Sequence, residues 1–392
     1  MSQYRPADEK QLIDVVAAAV ANEEPLEIVA GGSKRNLGRP PQLPHMLDVG
    51  VFAGIRQYEP EELVLTAGAA TPLAEIERTL AAKRQMLAFE PPDWRMLFGT
   101  DAANPTFGGV VACNLSGPRR IRQGAARDHV LGLAAVSGRG EAFKAGGRVV
   151  KNVTGYDLCK LLTGSYGTLA VMTEISVKVL PAPEATRTVA LTGLDDARAV
   201  AVMTHGLNSP HELSGAAHLP NTDGRARTLL RVEGPLPSVE ARSQALRDEL
   251  KPFGAAEILG DVDSAKLWQG IRDAVPLAAG EGVIWRVSMA PTAAPAFLGA
   301  VRAALDIDYL LDWGGGLVWL AVRGADDGGA RPIRAALGGR GHATLIRAPA
   351  ALRAVVPVFE SLPPAAAALS ARVKDSFDPK RVLNRGRLYP EF

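Results

Sequence analysis

Three glycine-rich bends fall within the first 170 residues of this 392-residue chain, and each adjoins a strand-forming run. Val29-Ala30-Gly31-Gly32-Ser33-Lys34 follows the apolar residues 26–30. Thr106-Phe107-Gly108-Gly109-Val110-Val111-Ala112 continues into Asn114-Leu115-Ser116-Gly117. Gly164-Ser165-Tyr166-Gly167-Thr168 feeds a β-branched stretch. Without Cβ atoms, consecutive glycines let backbone N–H groups turn toward one point and form a concave anion nest. Ser33 adds a hydroxyl donor and Lys34 a charge, a combination suited to a pyrophosphate. One such cluster alone reads equally as a surface turn. Three of them, all beside strands, point to a single long ligand wrapped by backbone.

Composition narrows the function classes. Lys and Arg total 44 against 42 Asp and Glu, so the formal charge is +2 and nothing draws the chain toward nucleic acid or an anionic membrane. A 47% apolar and 22% charged chain is globular, and its length exceeds what one core usually serves. The two cysteines, Cys113 and Cys159, are too few for a disulfide framework or a cysteine-held cluster. The opening MSQYRPADEKQL is charged and leads into no apolar signal core. The most apolar long stretch, residues 296–313, is interrupted by Arg302, Asp306 and Asp308. The expectation is a cytoplasmic protein that meets a membrane only through partners.

Periodicity supplies the elements. Leu12, Val15, Val16, Ala19 and Val20 predict an opening helix that stops near residues 22–25. Residues 26–30 and 46–49 read as short strands, and residues 55–58 and 63–67 as a hairpin around Pro60. Thr71-Pro72 predicts a helix start, with Thr71 as N-cap. A strand follows over residues 129–136, and another over the β-branched residues 171–179. Beyond the linker Pro181-Ala182-Pro183, strands at residues 186–191, 227–232 and 282–289 alternate with helices at 195–207, 238–250 and 294–305, an α+β texture. The tail predicts a helix from Ala365 to Phe377. No internal repeat is visible.

Several chemistries have no support. There is no G-x-G-x-x-G opening a helix, no P-loop and no H-E-x-x-H among the six histidines. His211 and His218 are separated by the helix-breaking Ser214-Gly215, and no metal site is expected. Arg119, Arg120, Arg122 and Arg127 form a basic cluster that reads as a contact to cofactor phosphate or a partner subunit, or equally as a solvated loop partly neutralised by Asp128.

A set of motifs then carries a resemblance. Ile55-x-x-Tyr58-x-Pro60-x-x-Leu63 with Ala67-Gly68-Ala69, Gly108-Gly109-x-x-Ala112, Arg127-Asp128-His129-Val130-Leu131-Gly132 and Lys151-Asn152-x-x-Gly155-Tyr156-Asp157 make up its first part. Gly164-Ser165-x-Gly167-Thr168-Leu169-x-x-x-Thr173-Glu174 and Phe377-Asp378-Pro379-x-x-x-Leu383-Asn384 complete it. Together they resemble the FAD-binding domain of the vanillyl-alcohol oxidase type. Gly31-Gly32-Ser33-Lys34, Phe89-Glu90-Pro91-Pro92, Val149-x-Lys151-Asn152-Val153 and Asp312-Trp313-Gly314-Gly315 narrow it. They resemble the family of FAD-binding subunits of the three-subunit glycolate oxidase (glycolate dehydrogenase). The match is dense over the first 180 residues, sparse in the middle and clear in the tail.

The resemblance implies an α+β fold: a FAD-binding domain of two α+β lobes over residues 1–182, an α+β cap over 183–350, and a C-terminal segment over 351–392 that returns to the FAD domain. It implies noncovalent FAD. The pyrophosphate rests on Gly31, Gly32, Ser33 and Lys34. Thr106, Gly108, Gly109, Asn114 and Gly117 approach the flavin and its phosphates. Gly164, Gly167, Thr168 and the backbone near Ile175 hold the ring side and adenosine part. Ala30 stands where such loops often carry a third glycine; a positive φ there would force the loop to shift and weaken binding. No histidine between Val29 and Gly38 offers a tether, and both cysteines sit in apolar stretches that suit small buried residues.

In related 2-hydroxy-acid dehydrogenases, histidines around a Gly-Asp-Gly-Asn core hold a metal over the flavin. The matching residues here, 311–319, contain no histidine. A hydroxy acid losing a hydride needs its carboxylate clamped and its hydroxyl proton removed. Arg286 is the available clamp, or else an ion-paired residue, and no base is evident. The resemblance therefore implies a subunit of a complex oxidising glycolate to glyoxylate, engaged in electron transfer or assembly more than in substrate chemistry. A larger FAD-containing subunit and an iron–sulfur subunit are its implied partners. Two alternatives stand beside it: a self-sufficient flavin-dependent 2-hydroxy-acid (D-lactate-like) dehydrogenase, and a scaffold subunit that has lost flavin.

Overall fold

Asp8 starts the architecture. Its side chain accepts the Gln11 N–H at 2.8 Å and caps the helix Glu9–Asn22, which buries Leu12, Val16 and Ala19. The computed structural model describes residues 2–100, 103–148, 155–222 and 224–391. The helix packs on a three-stranded parallel sheet in which His45–Asp48 lies between Ser2–Tyr4 and Leu26–Val29.

The hairpin Ile55–Glu59 and Val64–Gly68 forms as the Pro60 turn predicts, and Leu63 closes it in the left-handed region at φ 55°. It edges a five-stranded antiparallel sheet, followed by Ala170–Lys178, Val130–Ser137 and Ala142–Gly146. The β-branched run becomes the central strand because both of its faces are covered, and all but two of its nine residues are buried. The next helix, Leu73–Ala81, begins later than the Thr71 N-cap reading. Thr71 Oγ1 is already committed, donating to Gly68 O at 2.7 Å and accepting from Gly54 N at 2.9 Å.

The cap holds a repeat that the sequence hides. Ala185–Thr192, Asp196–Leu207, Gly215–Thr222, Arg225–Gly234, Leu236–Glu249 and Ala256–Leu259 run β-α-β-β-α-β. Val283–Met289, Ala294–Arg302, Asp306–Asp312, Leu317–Arg323, Ala330–Leu337 and Gly341–Arg347 run the same way. Each half orders its four strands alike, and the halves join edge to edge where His218 pairs with Leu311, giving one eight-stranded sheet. Alternate residues face opposite layers: Val318 and Leu320 pack with the cap helices, Trp319 and Ala321 with the N-terminal domain. The sheet is the middle layer of the molecule, buried on both faces.

Two buried ionic clusters fix the parts. Across the boundary, Arg231 meets both oxygens of Glu90 at 2.9 and 3.0 Å, and Arg119 meets Glu233 at 2.6 and 2.9 Å. At the end of the chain, helix Pro364–Phe377 buries Lys374, whose Nζ donates to Asp378 and to Thr168 O, both at 2.6 Å. Asp378 in turn accepts from Val382 N and Leu383 N at 2.9 and 2.8 Å. This turn delivers Leu383 and Asn384 to the strand Leu26–Val29, some 350 residues back, as a returning segment.

Candidate functional site

A cleft between the two lobes encloses about 780 Å³ of non-protein space, part of it open to solvent. Its walls come from residues 28–35, 106–113 and 166–172 together with Ala69, Asn384 and Arg387. The first glycine bend is shaped by a neighbour. Asn104 N donates to Gly31 O at 3.0 Å, and a Cβ on Gly31 would sit 1.8 Å from Asn104 O. The positive φ of the bend, 75°, falls on Gly32. Ala30 is outside that region, so the missing third glycine needs no shift of the loop.

The second bend folds as a helix turn. Thr106 caps Phe107–Ala112, and Gly108 N donates to Ala69 O at 2.6 Å. A side chain at Gly108 would meet Ala69 at 2.8 Å, which keeps this turn against the strand Val64–Gly68. In the third bend the strained residue is Tyr166, at φ 56°. Ala112 O accepts its N–H at 2.8 Å, and its own carbonyl accepts from Asn384 Nδ2 at 2.8 Å.

One end of the cleft is cationic. Lys34 Nζ donates to Ser33 Oγ at 3.1 Å, and burial lowers its pKa. Arg387 donates to the carbonyls of Lys34 and Arg35, both at 3.0 Å. Burial also pushes the Cys113 thiol in this wall up to about 11. Backbone amides and two cations at one end, with Ile28, Val49, Val171 and Met172 as apolar walls, fit a long ligand carrying phosphates and a flat ring. FAD meets that description.

Of the residues expected from the sequence, Gly31, Gly32, Ser33, Lys34, Thr106, Gly108, Gly109 and Gly167 line the cleft. The others support it from behind. Asn114 accepts the Arg127 N–H at 3.1 Å, and Gly164, at φ 89°, packs against Asn114. Thr168 donates to Ser165 O at 2.7 Å, and Ile175 is wholly buried in its strand. Gly117 lies at the boundary with the cap, where its carbonyl accepts from Trp313 Nε1 at 3.1 Å. The motif residues 149–153 lie outside the described residues.

Sequence reasoning missed Tyr166 and Arg387 as walls of the cleft and took Cys113 for a buried packing residue. It is Cys159 that packs, with Sγ against Leu131 O and Ala145 O. The motif position of Asn384 was the available signal for the tail.

The basic cluster divides. Arg119 is bound into the Glu90–Arg231–Glu233 latch, Arg122 pairs with Glu212 of the cap, and Arg127 with Asp128. Burial and the charge of Arg120 bring Arg286 down to about 10. Asp312, on the adjoining part of the cap, is pushed up to about 7 by burial, and its Oδ1 accepts the Trp313 N–H at 2.7 Å. Among the described residues, no three His, Cys, Asp or Glu are grouped to hold a metal, and no helix is long and apolar enough to cross a membrane.

A family model described as a FAD binding domain matches residues 3–146. Over 389 residues, 97% of each protein, the chain is 37% identical to glycolate oxidase subunit GlcE of Escherichia coli (strain K12). Over 172 residues it is 35% identical to glycolate oxidase subunit GlcD of Bacillus subtilis (strain 168), 43% of this chain and 35% of that one. The solved 4-ethylphenol oxidase from Gulosibacter chungangensis superposes with a TM-score of 0.74 at 14% identity, over 99% of this chain and 89% of the other, a likeness of fold alone. With its FAD binding domain, its FAD-oxidase fold and end-to-end similarity to GlcE, the chain is a FAD-dependent oxidoreductase of the glycolate oxidase subunit GlcE family.

Proposed function

We propose that this chain is the FAD-bearing subunit of a complex that oxidises glycolate to glyoxylate. The observation that carries this reading is its likeness to GlcE over 97% of both chains. We divide it at residues 182 and 350 into a FAD domain, a cap and a returning segment. When bound, FAD supplies the hydride acceptor. Gly31, Gly32, Ser33 and Lys34 hold its pyrophosphate, with Arg387 fixing the carbonyls beneath them. Thr106, Gly108, Gly109 and Gly167 flank the remainder, while Asn114, Gly117, Gly164, Thr168 and Ile175 keep those walls in place.

The cap roof carries Trp313, Trp319 and Arg286 and presents no histidine there. His218 is tied to Thr228, and His205 and His211 share Glu249. The chain thus serves electron transfer or assembly, with substrate chemistry on a larger FAD-containing subunit. An iron–sulfur subunit completes the complex, which works in the cytoplasm or on a membrane through its partners. Co-purification with the neighbouring chains, followed by a visible spectrum of each component, tests this. Failure to recover FAD in proportion to this chain overturns the reading and favours a scaffold.

A second reading rests on Asp312 near Arg286. A carboxyl held at about 7 is a proton acceptor, and the guanidinium is a carboxylate clamp, as a self-sufficient 2-hydroxy-acid dehydrogenase needs. The purified chain bleaching anaerobically with glycolate or D-lactate would establish it. Unchanged absorbance disposes of it.

A further inference from the structure

Arg353 is the one buried residue of the short helix Ala350–Val355 and is only 6% exposed. Its Nη1 donates to the carbonyls of Asn36 and Gly38, the latter at 3.0 Å. Arg387, later in the same returning segment, holds the carbonyls of Lys34 and Arg35. Two guanidiniums from the end of the chain thus take up four of the five carbonyls that follow Ser33. The approach is close: Arg39 N donates to Arg387 O at 2.9 Å, and a Cβ on Gly38 would meet that oxygen at 2.9 Å.

Carbonyl oxygens satisfy donors but leave charge unanswered. Lys34, Arg35, Arg353 and Arg387 bring four cations to this loop. Among the described residues Glu27 is the carboxylate in ion-pair reach, its Oε1 lying 3.0 Å from Arg35 Nε and 3.5 Å from Arg387 Nη1. Arg353 has no carboxylate partner among them, and its buried Nε has no hydrogen-bond partner. Asp93 acts on Lys34 only through space. Burial lowers the pKa of Lys34, Arg353 and Arg387, and the charge of Arg387 lowers that of Arg353 further. Buried charge without a counter-ion weakens the contact that holds it. A pyrophosphate on the other side of this loop brings negative charge to the cations that lack it.

We propose that Arg353 is a positioning residue for the cofactor, and that with Arg387 it couples docking of the returning segment to the charge of a bound pyrophosphate. This rests on the reading of Gly31, Gly32, Ser33 and Lys34 as the pyrophosphate seat. Arg353 does not touch the ligand; it acts through the carbonyls of Asn36 and Gly38. Without the anion the buried cations repel one another and the tail sits loosely on the loop. With the anion the tail closes, and by linkage a closed tail tightens the anion by the same factor.

Hydrogen–deuterium exchange of the full chain, freed of flavin and then supplied with FAD, ADP or adenosine, tests the proposal. We expect FAD and ADP to slow exchange in residues 350–356 and 384–391 at least fivefold, and adenosine, which has no phosphate, to slow it less than twofold. Calorimetry should show ADP bound at least tenfold more weakly by Arg353→Gln and less than fivefold more weakly by Arg353→Lys, which keeps the charge. Arg372→Gln, at an exposed position of the helix Pro364–Phe377, should leave ADP affinity unchanged. If the glutamine variant does not fold, the lysine variant and the exchange of the unaltered chain decide the matter. Adenosine slowing the tail as much as ADP does, or ADP affinity unchanged in Arg353→Gln, overturns the proposal. FAD bound with tail exchange unchanged overturns the coupling and leaves the pyrophosphate seat standing. Failure of both FAD and ADP to bind overturns the seat and the coupling with it.

Discussion

Asn384 and Ile28 lie 356 residues apart in sequence and 2.9 Å apart in space, with the Asn384 Oδ1 accepting the Ile28 N–H. The other half of the amide donates to Tyr166 O at 2.8 Å, so one side chain spans two walls of the cleft. We expect Asn384→Ala to cost about 2–3 kcal/mol, since it leaves a backbone donor and an acceptor unmatched. Urea denaturation checks the stability, and gel filtration should show FAD lost from the variant.

The first glycine bend makes opposite demands at adjacent positions. A methyl at Gly31 collides with the backbone carbonyl of Asn104, 1.8 Å from its oxygen and 2.8 Å from its carbon, and backbone cannot swing aside. Gly31→Ala should lower FAD affinity at least tenfold, or abolish folding. Ala30→Gly should change affinity by less than twofold, because residue 30 needs no positive φ. Flavin fluorescence titration of the apoprotein reads both.

The interdomain latch should fail in acid. Burial raises the Glu233 pKa, but Arg231 and Arg119 outweigh it and bring the carboxyl from 4.5 to about 2. A depressed carboxyl contributes its full stability above its unfolded pKa, and loses it as pH falls through the folded value. Glu233 therefore contributes about 3 kcal/mol above pH 4.5 that disappears toward pH 2. Thermal melts across that window should show the loss. Arg231→Met should shrink that acid-dependent loss without abolishing it, since Arg119 still holds Glu233, and should cost about 3–5 kcal/mol at neutral pH by leaving Glu90 buried with less counter-charge.

Cys113 reports occupancy of the cleft. With its thiol near 11, iodoacetamide should label it slowly at pH 7 and about tenfold faster per pH unit above that. FAD should protect it, while Cys159, only 3% exposed, should stay unlabelled in both forms. Mass spectrometry of the two peptides decides this.

The returning tail depends on a buried charge pair. Lys374→Met leaves Asp378 without its cation in a site with no solvent contact, and should cost about 3–5 kcal/mol. Asp378 also accepts from two backbone amides, so Asp378→Leu added to Lys374→Met should not restore stability. Urea melts of the single and double variants test this.

Local chemistry is what the chain writes plainly. Small residues after a strand announce a bend that ligand can approach, so Gly31, Gly32, Ser33, Lys34, Thr106, Gly108, Gly109 and Gly167 were legible as a group. Short apolar and β-branched runs announced the strands, and the spacing of Leu12, Val16 and Ala19 announced the first helix. Tertiary structure alone decided what came from a distance. Arg387 carries no local mark of a cleft wall, because its place depends on a tail delivered by Lys374 and Asp378. The halves of the cap repeat share strand order with no repeat legible in the sequence, since strands of a sheet buried on both faces ask only for near-continuous apolar runs, as in Leu317–Arg323. Arg119 and Arg120 look alike in sequence, yet one faces two carboxylates and the other an indole. Charge partners are set by which surfaces meet, and only the folded molecule brings those surfaces together.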